Sequence, residues 1–411
     1  MHWANFLHIY QPPTQTEEIT RRVADECYRK LVDILLRHPR ARVTLNINAC
    51  LTEQLDKYGL HDVIGGLKAL AERGQIEFTG SAMYHPILPL IPPHEMRRQI
   101  ELNMEVNRRY FGDLYAPRGF FPPEMCYSFE VAQVVAAMGF DWVIGDEIAY
   151  DGRLGHYRPD RTYQVEGLPD FYFIFFFRER PVSAGLTYGR FPTADSLLDC
   201  LAERRYRREY LLTGTDGEIY GHHRPGQERL LEELYEGDLL PTCTVSELLR
   251  LYPEVETVSP LPSSWSTWED EMAAGAPYSH WRYPGNELHE LQWELTDLVV
   301  EAFAGPPDEG VAGPARTALD QGLHSCQYWW ASCRPWWDTG MIERGADLLL
   351  EAARGAAGVL PPETLRRAEA LHHRIVTTAR RWQESGQARR LREVYLHEHP
   401  QVDARQLTFS P

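Results

Sequence analysis

The sequence is poor in lysine and in clustered positive charge. Among its 411 residues, lysine occurs only at Lys30, Lys57 and Lys68, and the formal net charge is −17. A phosphate backbone requires a basic face on its protein partner, so the composition argues against a nucleic-acid partner. The acidic balance favours solubility, and a neutral ligand would feel it only weakly.

Long hydrophobic runs and paired cysteines are also lacking. No stretch reaches the ~18 apolar residues that a membrane helix requires, and the apolar start MHWANFLHIYQPP has neither the basic region nor the cleavage site of a signal peptide. The seven cysteines are dispersed from Cys27 to Cys333 without a C-x-x-C pair, which is typical of reduced thiols. We therefore predict a cytoplasmic protein without membrane contact or disulfide framework, and its oligomeric state stays open.

The first 260 residues alternate short apolar runs with helical patterns. In EEITRRVADECYRKLVDILL, apolar residues from Ile19 to Leu35 recur every four positions, which predicts one face of a helix. The candidate strands are 4–9, 42–47, 75–79, 119–122, 142–145, 171–177 and 210–213. Seven strands alternating with helices predict parallel pairing and an incomplete (β/α)7 barrel over residues 1–258.

The pattern changes after Pro253. Residues 259–285 are rich in Pro, Ser, Gly and Trp and have no period, so they predict a long loop, which we expect to cover the mouth of the barrel. The remaining chain, 286–411, contains helical patterns such as ELHELQWELTDLVVEAF and no alternating strands. This predicts a C-terminal all-α helical domain.

Acidic side chains recur where the predicted strands end. Strand 3 contains Glu77, strand 4 runs into Glu124, strand 5 into Asp146 and Glu147, and strand 7 into Asp216 and Glu218. One such acid is usually a solvated turn residue. Several that converge on one end of a β/α barrel, where active sites of this architecture form, favour a catalytic function.

Glu124 has the most unusual setting of these acids. In GFFPPEMCYS it is the only charged residue, and two prolines directly before it fix its direction. A carboxylate among apolar groups is costly unless it is hydrogen-bonded or used. Two carboxyl groups on opposite sides of a glycosidic bond are the usual requirement for its hydrolysis. On spacing alone, either Asp216 or Glu218 is a possible partner for Glu124.

Four stretches in sequence order resemble the N-terminal conserved regions of glycoside hydrolase family 57. They are FLHIYQPP, GQIEFTGSAMYHPILPLIP, GFFPPEMCYS and GTDGEIYGHHRPG, and a weaker fifth resemblance lies near GLHSCQYWWAS. The resemblance implies a (β/α)7 barrel with a helical region and a retaining mechanism on α-linked glucans. It also implies that Glu124 is the nucleophile and Asp216 the general acid/base. We expect no cofactor or metal, because sugar hydroxyls and proton transfer account for the polar residues and the first strand lacks an acid at ligand spacing.

Further substrate contacts are predicted from the strand ends, the aromatic segments and the resemblance. They are His8, Tyr10, Gln11, Glu77, His85, Phe121, Glu218, His223, Trp268, Trp281, Trp329 and Trp330. Trp268 and Trp281, on the segment 259–285, are the expected sugar-stacking rings, and Trp293 is expected in a helical core. The chain departs from the family pattern at Tyr10, where many members have His, at Phe121, where Trp is usual, and in SCQYWW, which lacks an Asp.

Three other functions remain as alternatives. A 4-α-glucanotransferase would use the same catalytic residues, and the YHPILPLIP stretch favours hydrolysis because it resembles the amylase and amylopullulanase branch. A metal-dependent deacetylase-type hydrolase needs two histidines and an acid at ligand spacing, and H-I-Y-Q on the first strand lacks the acid. An inactive glucan-binding protein is disfavoured because Glu124 and Asp216 are both present.

Overall fold

The computed structural model describes residues 1–168, 170–237, 239–304, 313–358, 360–400 and 402. The chain divides into two compact units. The first contains Met1–Gln11, Gln15–Met83 and Leu88–Ala273, and the second contains Pro12–Thr14, Tyr84–Ile87 and Ala274–Pro411. The segment 259–285 is thus shared between the two units, and the predicted domain boundaries at 258 and 285 stay predictions.

The seven predicted strands are all present in the first unit. With three further strands, the described residues contain β1 His2–Ile9, β2 Val43–Ile47, β3 Ile76–Phe78, β4 Gly119–Phe120, β5 Trp142–Asp146, β6 Thr162–Val165, β7 Ile174–Arg178, β8 Tyr210–Asp216, β9 Thr242–Cys243 and β10 Val255–Val258. β2, β5 and β7 are buried over their whole length. This is expected of parallel strands that are covered on both faces.

The predicted strands follow one another around a ring. Parallel ladders join β3, β2, β1 and β8 in one sheet, and β4, β5 and β7 in the other. A few backbone hydrogen bonds connect the two sheets: Gly80 N donates to Gly119 O (2.8 Å) and Phe121 N to Gly80 O (2.9 Å) at one joint, and Glu179 N donates to Leu212 O (2.8 Å) at the other. The ring order β1–β2–β3–β4–β5–β7–β8, with its two weak joints, confirms the predicted incomplete (β/α)7 barrel.

The three additional strands lie outside this ring. β6 pairs antiparallel with β7, and β10 continues that sheet parallel to β6. The predicted parallel pairing holds for the seven ring strands, and the antiparallel β6–β7 ladder is an addition outside them. β9 pairs with Trp3 and Ala4, at the amino end of β1.

Helices cover the ring and connect its strands. In the first unit they are α1 Glu17–Val23, α2 Arg29–Arg37, α3 Ala49–Lys57, α4 His61–Glu72, α5 Pro93–Phe111, α6 Phe129–Ala137, α7 Arg180–Thr187, α8 Ala194–Leu201, α9 Glu228–Glu236, α10 Val245–Leu251 and α11 Glu269–Ala273. The helix predicted around Ile19–Leu35 is present, but Ala24–Tyr28 forms a π-helical segment between α1 and α2. Such insertions often occur at functional sites.

The second unit is helical, as predicted for the C-terminal part of the chain. Its helices are α12 Glu287–Ala302, α13 Pro314–Gly322, α14 Cys326–Trp329, α15 Thr339–Gly355, α16 Pro362–Glu384 and α17 Gln387–Glu398. Trp293 is buried and stacks on Tyr328, with ring centroids 4.3 Å apart, which confirms its predicted place in the helical core. Among the described residues, no helix has both the length and the apolar character needed to cross a membrane.

Candidate active site

The carboxyl ends of β1, β2 and β8 bring three polar side chains to one level. His8 on β1 is in register with Asn46 on β2 and with Asp216 on β8. His8 is buried, and its Nδ1 lies 2.7 Å from Oδ1 of Asn46. Burial lowers the pKa of His8 to about 4. The imidazole is therefore neutral at physiological pH and offers a hydrogen bond without a charge.

Glu124 lies on a strained turn just after β4. It is in a single 3-10 turn, Pro123–Met125, and the preceding Pro122 is extended. Glu124 and Met125 both have left-handed backbone conformations, with φ of 60° and 50°. A non-glycine residue in this region costs about 1–3 kcal/mol and persists only where its surroundings impose it, a combination that is common at active sites.

Trp265 holds this turn from the segment after β10. Its indole N–H donates to Oε2 of Glu124 (2.8 Å), and its backbone N–H donates to the carbonyl of Glu124 (3.1 Å). The indole ring lies beside Phe121 and His8, with centroids 5.8 and 6.2 Å away. One residue therefore fixes both the backbone and the carboxyl group of Glu124.

Glu124 and Asp216 interact electrostatically. Burial raises the pKa of Glu124 to about 8, the charge of Asp216 acts in the same direction, and the Trp265 hydrogen bond opposes both. Burial also raises the pKa of Asp216 to about 6, against the positive charge of Arg178. Two carboxyl groups that repel each other titrate as a pair. These pKa values leave one proton on the pair near neutral pH, and they favour Glu124 as the residue that carries it in the empty site.

Glu218 forms a second buried carboxyl site, on the turn after β8. Its Oε1 accepts hydrogen bonds from the Tyr28 hydroxyl (2.6 Å) and from Tyr10 N (3.1 Å). Gln11 Nε2 in turn lies 3.2 Å from the Tyr28 hydroxyl. Burial and then the charge of Asp216 raise the pKa of Glu218 to about 8. The predicted residues Tyr10, Gln11 and Glu218 are thus one connected network, and Tyr28 of the π-helical segment joins them.

Asp146 and two arginines form a buried ionic cluster at the carboxyl ends of β5 and β7. Asp146 binds Arg178 Nη1 (2.6 Å) and Arg180 Nη2 (2.7 Å). Arg178 Nε also donates to the carbonyl of Gly214 on β8 (2.8 Å). Arg180 donates to the carbonyls of Thr267 (2.5 Å) and Ser264 (3.2 Å). The cluster therefore links three strands of the ring to the Trp265 segment.

Two further predicted contacts lie in the first unit. His223 follows Glu218, and its backbone N–H donates to the carbonyl of Glu218 (2.8 Å). Burial, and then His222 and Arg224, lower the pKa of His223 to about 3, so its ring is neutral. Trp268 is partly exposed, and the guanidinium of Arg180 lies 5.7 Å from its ring centroid. Sugar contacts of His223 and Trp268 stay predictions.

Four predicted contacts lie in the second unit. His85 is buried, and its Nδ1 is 2.9 Å from the Ser325 hydroxyl. Trp329 and Trp330 are partly exposed, which leaves their predicted role open. The prediction for Trp281 is corrected, because its ring is fully buried against Trp329 and has no face for a sugar.

Glu77 is corrected as well. Its Oε2 accepts hydrogen bonds from the Thr44 hydroxyl (3.1 Å) and from Ser246 N, in the first turn of α10 (3.1 Å). α10 follows β9, which pairs with the amino end of β1. Glu77 therefore satisfies the backbone at the N-terminus of a helix, where a carboxylate is favourable, and we no longer count it among the substrate contacts.

The sequence did not single out three residues that the structure places at this site. Trp265 lies on the same predicted loop as Trp268 and Trp281, and the sequence favoured those two as the sugar-stacking rings. Arg178 follows an aromatic strand in FYFIFFFRER, where a charge directly after a buried run was the available signal. Tyr28 has no local signal, because its partner Glu218 is 190 positions away.

No group of three or more His, Cys, Asp or Glu side chains arranged to hold a metal ion occurs in the part of the chain that the structure describes.

Comparison with known proteins adds the family context. The family model Glycosyl hydrolase family 57 matches residues 4–260. The α-amylase 1 of Dictyoglomus thermophilum is 29% identical over 142 residues, which are 34% of this chain and 20% of that protein. The 4-α-glucanotransferase of Thermococcus kodakarensis is 28% identical over 151 residues, 36% of this chain and 22% of that protein. The aligned parts are thus about a fifth of these relatives.

Solved structures extend the similarity to most of the chain. The GH57-type branching enzyme of the hyperthermophilic archaeon Pyrococcus horikoshii has a TM-score of 0.68 at 16% identity, over 92% of this chain and 96% of its own. At this identity the similarity shows a shared fold.

Proposed function

Because the chain belongs to glycosyl hydrolase family 57, we propose that it is an enzyme that cleaves α-linked glucans, mainly by hydrolysis. The observation that carries this proposal is the pair of interacting, partly buried carboxyl groups, Glu124 and Asp216, at the carboxyl end of the strand ring. Curated relatives named α-amylase and 4-α-glucanotransferase agree with a glucan substrate. A cytoplasmic location stays a prediction.

The two carboxyl groups suit a double displacement. The carboxylate of Glu124 attacks the anomeric carbon while Asp216 protonates the departing glycosidic oxygen, which leaves a covalent glycosyl ester on Glu124. Asp216, now anionic, then removes a proton from water, whose oxygen attacks the anomeric carbon and releases Glu124. The product keeps the α configuration, because the carbon is inverted twice.

The proton shared by the pair has to be on Asp216 in the first step. In the empty site Arg178 favours the anionic form of Asp216, and the Trp265 N–H favours the anionic form of Glu124. The proposal therefore requires that a glycosidic oxygen beside Asp216, which accepts a hydrogen bond, draws the proton onto that residue. The neutral ring of His8 and the partly exposed indole of Trp265 would line the sugar next to it, and the fully buried Phe121 would support both rings from behind.

Chemical rescue with azide distinguishes the two roles. With α-maltosyl fluoride, which needs no acid to depart, Glu124→Ala plus azide should give the inverted β-maltosyl azide. Asp216→Ala plus azide should give the retained α-maltosyl azide, because azide then attacks the ester on Glu124. The opposite pairing of products would exchange the two roles.

Loss-of-function variants and product analysis test the reaction itself. Glu124→Gln and Asp216→Asn should reduce turnover of maltoheptaose to a trace while the circular dichroism spectrum stays that of the wild type. The wild type should release α-anomers, and its products from maltoheptaose and pullulan should be shorter than the substrates. Products longer than maltoheptaose as the main species would establish the alternative, glucanotransfer, and initial release of β-anomers would contradict double displacement.

A further inference from the structure

The ionic cluster beside the carboxyl pair has an excess of positive charge. Arg178 and Arg180 both bind Asp146, and side-chain exposure is 7% for Arg178, 6% for Arg180 and 0% for Asp146. Two guanidinium groups thus share one carboxylate. A buried charge needs a partner, because burial without one costs several kcal/mol, so the cluster favours a second anion nearby.

Two carboxyl groups can supply that anion, because the charge of Glu147 favours the cationic form of Arg178 and the charge of Arg178 favours the anionic form of Asp216. Arg178 donates to the carbonyl of Gly214, two residues before Asp216 on the same strand, and its positive charge acts on the Asp216 carboxyl. Several titratable and charged groups surround Asp216 and this cluster. The ring strands and the turns after them contribute His8 (β1), Glu124 (after β4), Asp146 and Glu147 (end of β5), Arg178 (β7) and Glu218 (after β8). The helical segments contribute Arg180 (α7) and Tyr28 (the π-helical segment). Of the described residues in this set, Arg178 is the cation whose charge acts on Asp216.

The same arginine also contacts the residue that holds Glu124. Its guanidinium carbon lies 5.6 Å from the ring centroid of Trp265, within the range of a cation–π contact. Arg180 fixes the backbone on both sides of this ring through the carbonyls of Ser264 and Thr267. The charge of one guanidinium therefore acts on the proposed acid/base, and the same guanidinium lies against the indole that binds the proposed nucleophile.

We propose that Arg178 is a positioning residue of the reaction, which stabilises the anionic form of Asp216 and keeps Trp265 against Glu124. This inference rests on the proposed function. Arg178 acts on the step in which Asp216 is a base, because the anion that it stabilises is the one that accepts the proton of water. Asp146 and Arg180 hold the guanidinium in place.

The pH dependence of kcat/KM on maltoheptaose tests this role with charge changes of opposite sign. Arg178→Met removes the cation, so the limbs of the profile should move to higher pH by about 1 pH unit or more. Arg178→Lys keeps the charge and should leave the limbs near their wild-type positions. Asp146→Asn leaves two guanidiniums with one negative charge fewer and should move the limbs to lower pH.

Arg204→Met is the matched control. It removes a guanidinium that binds the two carboxylate oxygens of Glu179 (2.8 and 2.9 Å), and the limbs should not move. A purely structural role of Arg178 would lower kcat without displacing a limb. Should Arg178→Met fail to fold, Asp146→Asn tests the same charge balance from the other side.

The outcomes separate this inference from the proposed function. The role of Arg178 is wrong, while the reaction stands, if the pH profile of Arg178→Met superimposes on that of the wild type. The same holds if the limbs of the Arg178→Lys profile move as far as those of Arg178→Met. If the limbs of the Asp146→Asn profile move to higher pH, the charge argument is likewise refuted. Activity that survives in Glu124→Gln and Asp216→Asn would refute the proposed function itself.

Discussion

Replacing Trp265 by Phe isolates a single hydrogen bond at the proposed nucleophile. The change removes the N–H that donates to Oε2 of Glu124 (2.8 Å) and keeps an aromatic ring beside Phe121 and His8. The backbone hydrogen bond from residue 265 to the carbonyl of Glu124 is unaffected. The variant therefore alters the stabilisation of the carboxylate with little change in the packing around it.

The size of the effect follows from the charge on the acceptor. A hydrogen bond to a charged group contributes about 1.5–3 kcal/mol, and 1.36 kcal/mol corresponds to one pKa unit. Trp265 opposes the burial that raises the pKa of Glu124 to about 8, so its loss should raise that pKa by a further ~1–2 units. Because the variant keeps its proton to higher pH, the alkaline limb of kcat/KM should move upward, and the rate at pH 7 should fall.

The measurement is kcat/KM on maltoheptaose from pH 5 to 10, with Trp268→Phe as the control. Trp268 is a partly exposed tryptophan of the same segment, and its ring lies by Arg180. Its replacement should affect KM and leave both limbs in place. An unmoved alkaline limb in Trp265→Phe would refute the idea that this indole stabilises the anion of Glu124.

Three further predictions concern the buried carboxyl groups and metal dependence. Glu124→Gln should raise the midpoint of thermal unfolding at pH 8 and change it little at pH 5. The native pKa of Glu124, about 8, lies above the ordinary value of a glutamate. As the pH rises from the ordinary pKa to the native one, the wild type therefore loses stability that the neutral Gln keeps. Tyr28→Phe should destabilise the protein more at pH 9 than at pH 6, since the hydroxyl donates to Glu218, whose pKa is about 8; an equal loss at both pH values would contradict this. Activity on maltoheptaose should survive prolonged chelator treatment, because sugar contacts and two carboxyl groups account for the proposed chemistry; a loss that zinc or calcium reverses would favour the metal-dependent alternative.

The strand ring was predictable from sequence because most of its members lie in short, mainly apolar stretches between helical patterns. β7 in IFFFR and β2 in VTLNI are buried at every position, and a run of this kind between turn signals is typical of a parallel strand. β6 (TYQV), β9 (TC) and β10 (VETV) are two to four residues long, and polar side chains interrupt them. Their pairing depends on the strands beside them, so they have no signal of their own.

The π-helical segment shows a similar limit within a helix. Apolar residues every four positions from Ile19 to Leu35 gave the correct buried face. The same spacing is compatible with an inserted residue, since only the backbone hydrogen bonds distinguish the two forms. Tyr28, the last residue of this segment, donates to Glu218, a contact that no local pattern contains.

At the proposed active site, the reactive groups were recognisable and their partners were not. Glu124 stands out as a lone charge between prolines and apolar residues, whereas Trp265, its hydrogen-bond donor, is 141 positions away. Glu77 and Trp281 show the converse error. Both have residue types that suit a sugar site, but a helix N-terminus takes the carboxylate and the core of the second unit takes the indole.

These long-range partners also explain how the fold tolerates an arrangement that is unfavourable by itself. Burial raises the pKa values of Glu124 and Asp216, the charge of Asp216 raises that of Glu124 further, and two left-handed residues add strain at the turn. Trp265 offsets part of this at Glu124 and Arg178 at Asp216, and a cation–π contact joins the two supports. Each support favours an anion, so together they oppose the shared proton without removing it.

A pair balanced in this way can pass its proton between a glycosidic oxygen and a water molecule with little change in energy, because neither carboxyl group is held permanently in one state. Replacing either support should therefore displace the pH profile before it unfolds the protein, and a variant of Trp265 or Arg178 that loses stability while keeping its profile would show that the supports serve the fold alone.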